Sequence, residues 1–307
     1  MMRRLFGSLL SVTQSPAQAL GPAMPLLEPR QLVGAANRTE VESAIRARCQ
    51  ILPLDSERVV CRVLGRYKFI VDRADLGLSV HLMLDGYWEF WCTDFILRHL
   101  KPGQVAFDVG ANLGYYAVLM AEAVGPAGHV HAIEPNPHMA DLVAQNLALN
   151  GMTGMSSLHR AAVHSHSGAQ LRFLAPPREP KNGHVLPADS APEPGEYAVT
   201  SLCLDDLAGR PAHFLKVDVE GAEEKVWAGM QRLLDISPEV ILLMEFNAFR
   251  CADAPGLLAA IAARFPLREL NLHAHVVPCA AAELLGRTED TLLLLTNRPQ
   301  LEKLREK

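Results

Sequence analysis

Six cysteines occur in this chain, and no two lie close together in sequence. Cys49, Cys61, Cys92, Cys203, Cys251 and Cys279 form neither a paired zinc motif nor the spacing of a small disulfide scaffold, so they read as scattered reduced thiols. Blocks of Lys and Arg are also missing. Twenty-nine basic residues against 34 acidic ones leave a net charge of −5, which weighs against a nucleic-acid substrate, whose phosphates require a basic footprint. No apolar run approaches the roughly 20 residues of a membrane-spanning helix; Leu292 to Leu295 is far too short. There is no internal repeat. What remains is a 307-residue chain, 49% hydrophobic, long enough to bury a full core as one large domain or one domain with an extension.

The N-terminus mimics an export signal: Arg3 and Arg4 precede Leu5 to Val12, and Ala17-Gln-Ala19 resembles a cleavage site. Gly7 and Ser8 interrupt the apolar stretch, however, so residues 1–36 are expected to be a disordered leader on a cytoplasmic protein. Residues 37–100 read as an extension. A helix from Glu40 to Arg48 is capped by Asn37 or Thr39, and a hairpin pairs Arg58–Leu64 with Lys68–Asp72. A strand-like run follows at Val80–Leu84, then a helix over Trp88–Leu100.

From Val105 the pattern alternates strand and helix, the signature of a parallel sheet. Strands are expected at 105–109, 129–133, 156–163, 213–219 and 239–246, with helices at 114–124, 137–150, 222–235 and 254–264. A final antiparallel pair is expected at 266–272 and 290–296. Residues 175–197, crowded with Pro and Gly, read as a long loop or insertion.

The most informative segment is Val105-Ala-Phe-Asp-Val-Gly-Ala-Asn-Leu-Gly-Tyr-Tyr116, a strand, a tight glycine turn and a helix start. In an open α/β sheet a ligand sits at such a junction. A dinucleotide fingerprint reads Gly-x-Gly-x-x-Gly and cradles a pyrophosphate; here the spacing is Gly110-x-x-x-Gly114, with Asn112 in place of the middle glycine. Asp108 beside the loop would repel a pyrophosphate but suits a ligand carrying an ammonium and a sulfonium, namely S-adenosylmethionine. The next strand, His129–Ile133, ends in Glu134-Pro-Asn-Pro137. Glu134 lies 20 residues after Gly114, where an acidic residue binds ribose hydroxyls.

A second decisive stretch is His213-Phe-Leu-Lys-Val-Asp-Val-Glu-Gly-Ala-Glu223. Strand alternation puts Lys216, Asp218 and Glu220 on one side, and such a set cannot face an apolar core unpaired. Either it is a functional cluster, or a Lys–Asp pair covers the strand end while Glu220 caps the next helix. The His-x-His pairs at 129/131, 164/166 and 273/275 lack a third ligand in sequence, so no metal is expected.

Phe107–Tyr116, Glu134–Pro137 and Lys216–Glu223, with Thr200–Leu207 and Gly86-Tyr-Trp-Glu89, together resemble the FkbM family of S-adenosylmethionine-dependent methyltransferases over about residues 80–250. The resemblance implies a class I methyltransferase fold: a Rossmann-like seven-stranded sheet ordered 3-2-1-4-5-7-6 with the seventh strand antiparallel, here spanning residues 101–300. It also implies O-methylation of a hydroxyl on a small molecule or glycan. Resemblance and chemistry together assign the donor site. Asp108 orients the methionine ammonium; Gly110, Ala111, Asn112 and Gly114 shape the loop; Glu134 holds the ribose diol; Asn136 serves the adenine end. Glu89, Tyr115, Pro135 and Ala162 complete the expected contacts. Asp218 lies near sulfonium and acceptor, and Asp218, Glu220 and His184 are, in that order, the candidate general bases. Trp88 and Trp91 are expected as core or cofactor-covering aromatics. The rival readings are a nicotinamide-dependent oxidoreductase and a non-catalytic cofactor-binding module.

Overall fold

The computed structural model describes residues 24–33, 37–187, 189–298 and 301. The expected leader falls mostly outside the described residues, but Pro29–Leu32 form a helical turn (α1) that buries Leu32. The extension continues with α2 (Arg38–Arg46), which Asn37 caps by accepting from the Thr39 amide. An antiparallel sheet follows: β1 (Ile51–Pro53), β2 (Arg58–Val63) and β3 (Tyr67–Asp72). The strand-like run at Val80–Leu84 is instead helix α3 (Ser79–Leu84). Asp75 accepts from the Gly77, Leu78 and Ser79 amides and so starts a helix, a local cap that overrides the apolar run. Helix α4 (Phe90–His99) then leads into the main sheet.

That sheet contains β4 (Val105–Val109), β5 (His129–Ile133) and β6 (Ser156–His159), linked by α5 (Tyr115–Val124) and α6 (Pro137–Leu149). All five β4 residues are buried, as a strand covered on both faces requires. The expected strand 156–163 divides. Its second part, β7 (Ala162–Val163), leaves the main sheet and joins β8 (Gln170–Leu174), β9 (His184–Val185) and β10 (Glu196–Leu202) in a four-stranded sheet ordered β7-β10-β8-β9. The Pro-rich segment expected as a loop therefore carries β9, and Arg172 anchors it by hydrogen bonds to Glu196 and the Ser190 carbonyl.

The chain returns as β11 (Phe214–Val217), followed by α7 (Glu223–Ala228) and α8 (Gln231–Asp235), where one helix over 222–235 was expected. Gly229 separates them; a Cβ there would meet the His164 carbonyl oxygen at 2.3 Å. Then come β12 (Ile241–Phe246), α9 (Ala254–Ala262), β13 (Arg268–Leu270), β14 (Val276–Pro278), α10 (Ala281–Leu285) and β15 (Thr291–Leu295). The strand order is β14-β13-β15-β12-β11-β4-β5-β6, with β15 antiparallel to β12 and β13. Counted from β4, this is 3-2-1-4-5-7-6 with an added edge strand, so the sheet has eight strands where seven were expected.

Helix α5 is apolar nearly all round, with eight of its ten residues buried; such a helix must be covered on both sides. The main sheet covers one side and the extension the other, so that a continuous apolar cluster runs from Leu27 through α5 to Leu301. The outer edge of β3 is closed by side chains. Asn146 accepts from the Ile70 amide (2.7 Å) and donates to the Ile70 carbonyl (3.1 Å), and Asn150 does the same for Lys68. Asn146 of α6 and Asn150, which caps its C-terminal end, thus stand in for a fourth strand. Among the described residues, no helix is long and apolar enough to cross a membrane.

Candidate active site

Strands β4 and β11 are adjacent, yet the chain runs from β4 to β5 on the other side. This is the switch point where α/β sheets bind ligands, and a cavity of about 260 Å³ opens there. Gly110 closes its floor with φ +84°. A Cβ at Gly110 would stand 1.9 Å from the Asp218 carbonyl oxygen, so only glycine lets the two strand ends approach this closely. The Gly110 and Ala111 amides both donate to the Ile133 carbonyl.

Glu134, at the tip of β5, is buried and lines the cavity. Its Oε2 accepts from the Asn112 amide at 2.7 Å and its Oε1 from the Asn136 amide at 2.8 Å. Burial pushes its carboxyl up to about 8, against the pull of those two amides. A carboxylate has about four lone-pair positions; two remain for a ligand. Ala111, Asn112, Tyr115, Pro135, Ala162 and Glu89 also line the cavity. Asn112, Glu89 and Glu220 hold positive φ without being glycine (51°, 36° and 54°), and three such residues on one cavity wall concentrate backbone strain where a ligand would sit.

Lys216, Asp218 and Glu220 do converge on the cavity. Lys216 is buried; its Nζ donates to Asp218 Oδ2 at 2.8 Å and sits 4.8 Å from the centre of the Tyr116 ring. The Tyr116 hydroxyl in turn donates to Glu89 at 2.7 Å. Burial would lower the Lys216 ammonium, but Asp218, Glu89 and nearby groups outweigh it and raise the group overall. Glu220 is pushed up to about 7, chiefly by burial and then by Asp218, while Arg250 opposes.

Four expected site residues lie elsewhere than on the cavity wall. Asp108 is fully buried beneath the loop; neither of its oxygens has a hydrogen bond of good geometry, and burial pushes it up to about 6. It faces the Lys216 charge from behind and does not touch the cavity. Gly114 (φ +92°) packs on Val143 at the start of α5. Asn136 is turned away to cap α6, its side chain accepting from the His138 and Met139 amides. His184 lies on β9, with Nδ1 bonded within its own turn to the Asn182 carbonyl; its neighbours Gly183 and Val185 line the cavity and it does not. Strand alternation points adjacent residues to opposite faces.

Sequence reasoning missed Tyr116, Lys181, Glu245 and Asp290, which also line the cavity. Glu245 carried a signal: it is the single charged residue in the buried strand Ile-Leu-Leu-Met-Glu-Phe. Asp218, Glu220 and Glu245 bring oxygens within 4.8 Å of one another. Lys216 (2.8 Å from Asp218) and Arg250 (bonded to Glu220 and 3.5 Å from Glu245) already supply positive charge there. A second cavity, of about 500 Å³, adjoins the first across Glu89, Lys216, Asp218, Glu245 and Asp290.

A switch-point cavity walled by acidic strand tips, with a second cavity beside it, defines a doubly wound α/β protein built for a cationic or hydroxyl-rich cofactor. The sequence model of the methyltransferase FkbM domain matches residues 108–274, and the chain belongs to that family. Among similar proteins, the 31-O-demethyl-FK506 methyltransferase FkbM of Streptomyces tacrolimicus is 28% identical over 178 residues, covering 47% of this chain and 67% of that protein. A protein-L-isoaspartate O-methyltransferase of Methanothrix thermoacetophila is 41% identical over 51 residues. The match covers 17% of this chain and about a quarter (24%) of that relative's length. The crystal structure of a methyltransferase FkbM from Methylobacillus flagellatus KT aligns with a TM-score of 0.41 at 15% identity, covering 71% of this chain and 52% of that one.

Proposed function

We propose that the chain is an S-adenosylmethionine-dependent O-methyltransferase acting on a hydroxyl of a small molecule or glycan. The observation that carries this reading is Glu134: a buried carboxylate, fixed by two backbone amides, with its remaining lone pairs toward a cavity at the switch point. Two acceptor oxygens suit the two hydroxyl donors of a ribose. The acid-rich wall suits a donor that carries positive charge, and the orphaned oxygens of Asp108 add negative potential behind it. When bound, the cofactor supplies an electrophilic methyl carbon.

The remaining work falls to the protein. Glu134 holds the ribose, and Glu89 and Asp218 face the cationic end. Trp88 and Phe173 help exclude water as part of the cavity wall. Asp218, which lines both cavities, stands where an acceptor hydroxyl would lose its proton. Orientation of the two reactants supplies about 7–11 kcal/mol of the barrier, and a base adds roughly 10²- to 10⁴-fold. Isothermal titration tests the reading. S-adenosylmethionine is expected to bind and NAD to fail; the reverse result ends it in favour of an oxidoreductase. Binding of S-adenosylmethionine with no transfer to any hydroxylated acceptor would favour a non-catalytic module.

A further inference from the structure

The second cavity has an apolar floor that includes Trp91, Leu270 and Leu292. Its charged wall is one-sided: Glu89, Asp218, Glu245, Glu269, Glu289 and Asp290 face only Lys216 and Arg287. Both cations are already engaged, Lys216 by Asp218 at 2.8 Å and Arg287 by Glu269 at 2.7 Å. Glu245 differs from the other acids. It is set in a central strand and lines both cavities, yet among the described residues its side chain makes no hydrogen bond; its one ion pair, to Arg250, is long at 3.5 Å. Arg250 is held closer by Glu220 and Asp290. The charged groups around Glu245 are therefore Lys216, Asp218 and Glu220 from β11 and its tip, Arg250 from the loop after β12, and Asp290 from the loop before β15. Burial first, then Asp218 and Asp290, raise its carboxyl, as expected where negative charge exceeds its compensation.

We propose that Glu245 is a specificity-determining residue: it receives a hydrogen-bond donor of the acceptor, a hydroxyl or an ammonium, and with Glu289 and Asp290 it turns away acceptors bearing phosphate or carboxylate. The inference rests on the methyltransferase reading and deepens it. A carboxyl whose side chain lacks a protein donor keeps its oxygens open to a ligand donor, and an ammonium offsets the burial and like charge that hold its proton, while a phosphate brought into the same wall meets the charge of Asp218, Glu289 and Asp290, where repulsion in a partly desolvated setting is strong.

The test is calorimetry on the full chain, with and without saturating S-adenosylhomocysteine. Three probes of matched size are used: glucosamine, methyl glucoside and glucose 6-phosphate. The expected order of affinity is glucosamine, then methyl glucoside, then glucose 6-phosphate, with at least about tenfold between the first and last. Glu245→Gln is expected to narrow that ratio by about tenfold, and Glu289→Gln, at an exposed position that folding does not depend on, by a smaller factor. Methyl glucoside binding as well as glucosamine would assign the donor to a hydroxyl and still support the proposal. Equal or tighter binding of glucose 6-phosphate, no binding of any probe at millimolar concentration, or an unchanged ratio in both variants would overturn it. Loss of S-adenosylhomocysteine binding by the unaltered chain counts against the methyltransferase reading instead, because the probe series without cofactor still reports on Glu245.

Discussion

Glu134, just past the end of β5, and Glu245, within β12 of the same sheet, both line one cavity, but they are held differently. Two backbone amides grip Glu134, so its position follows from the course of the chain. The Glu245 carboxyl is held by no hydrogen bond, only by an arginine 3.5 Å away, so its placement follows from how side chains around it share charge. On the proposals above, the difference separates a rigid half of the site, assigned to the cofactor, from a half held by shared charge, assigned to the acceptor. Backbone donors cannot be moved without moving the strand, whereas one arginine is shared among Glu220, Glu245 and Asp290.

The rigid half breaks most severely. Gly110→Ala places a methyl group where the Asp218 carbonyl oxygen stands, so a loss of at least about 3 kcal/mol from strain and overlap is expected, read from the midpoint of urea unfolding. An unchanged midpoint would mean the two strand tips are not in contact. Asp218→Ala is expected next, lowering turnover about 10²-fold or more while the dissociation constant of S-adenosylmethionine changes far less; single-turnover kinetics separate the two. Comparable losses in both would place Asp218 in donor binding rather than in proton transfer.

Asn146→Ala removes the side chain that satisfies both backbone groups of Ile70. A destabilisation of about 1–3 kcal/mol is expected, visible as a lower melting temperature, with little change in cofactor affinity per folded molecule.

A pH dependence is the last expected effect. The folded-state value of Glu134 is raised to about 8 and that of Asp108 to about 6. The folded chain therefore binds more protons than the unfolded chain through this range, and intrinsic stability declines as pH rises from the ordinary carboxyl range toward pH 8. A cationic, hydroxyl-bearing ligand prefers the ionised acids, so its affinity is expected to rise between pH 6 and pH 8, by up to about tenfold per unit for each proton released. Titrations across that range check it, and Glu134→Gln should flatten the profile. A flat profile in the unaltered chain would show that Glu134 is already ionised before the ligand arrives.

Much of the rigid half is legible in the sequence. Its glycine turn, Glu134 and the Lys216–Glu220 run are each contiguous, and contiguous residues at a strand tip have few places to go. Even there, Asp108, Gly114 and Asn136 lie off the cavity wall, as does His184 beyond these runs. Asn136 was consumed by capping α6, because a helix start needs an acceptor. His184 was turned out by strand alternation on β9, an element that a proline-rich run did not announce. The other half showed in the sequence only as Glu245, the single charged residue of its strand. Glu245, Arg250 and Asp290 come together only because β15 pairs antiparallel with β12, bringing Glu245 opposite Leu292 and the residue before the strand toward the same end.

By itself, then, the order of residues determined the alternation of strand and helix, the glycine that lets β4 and β11 meet, and the acid at the tip of β5. These follow from local backbone geometry and the spacing of apolar side chains, which act over a few residues. Tertiary structure alone decided that Asp108 is sealed beneath the loop, that Lys216 serves several carboxylates at once, and that a second acidic cavity adjoins the first. Burial and the sharing of charge depend on which distant segments pack together, and no short stretch of sequence contains that information.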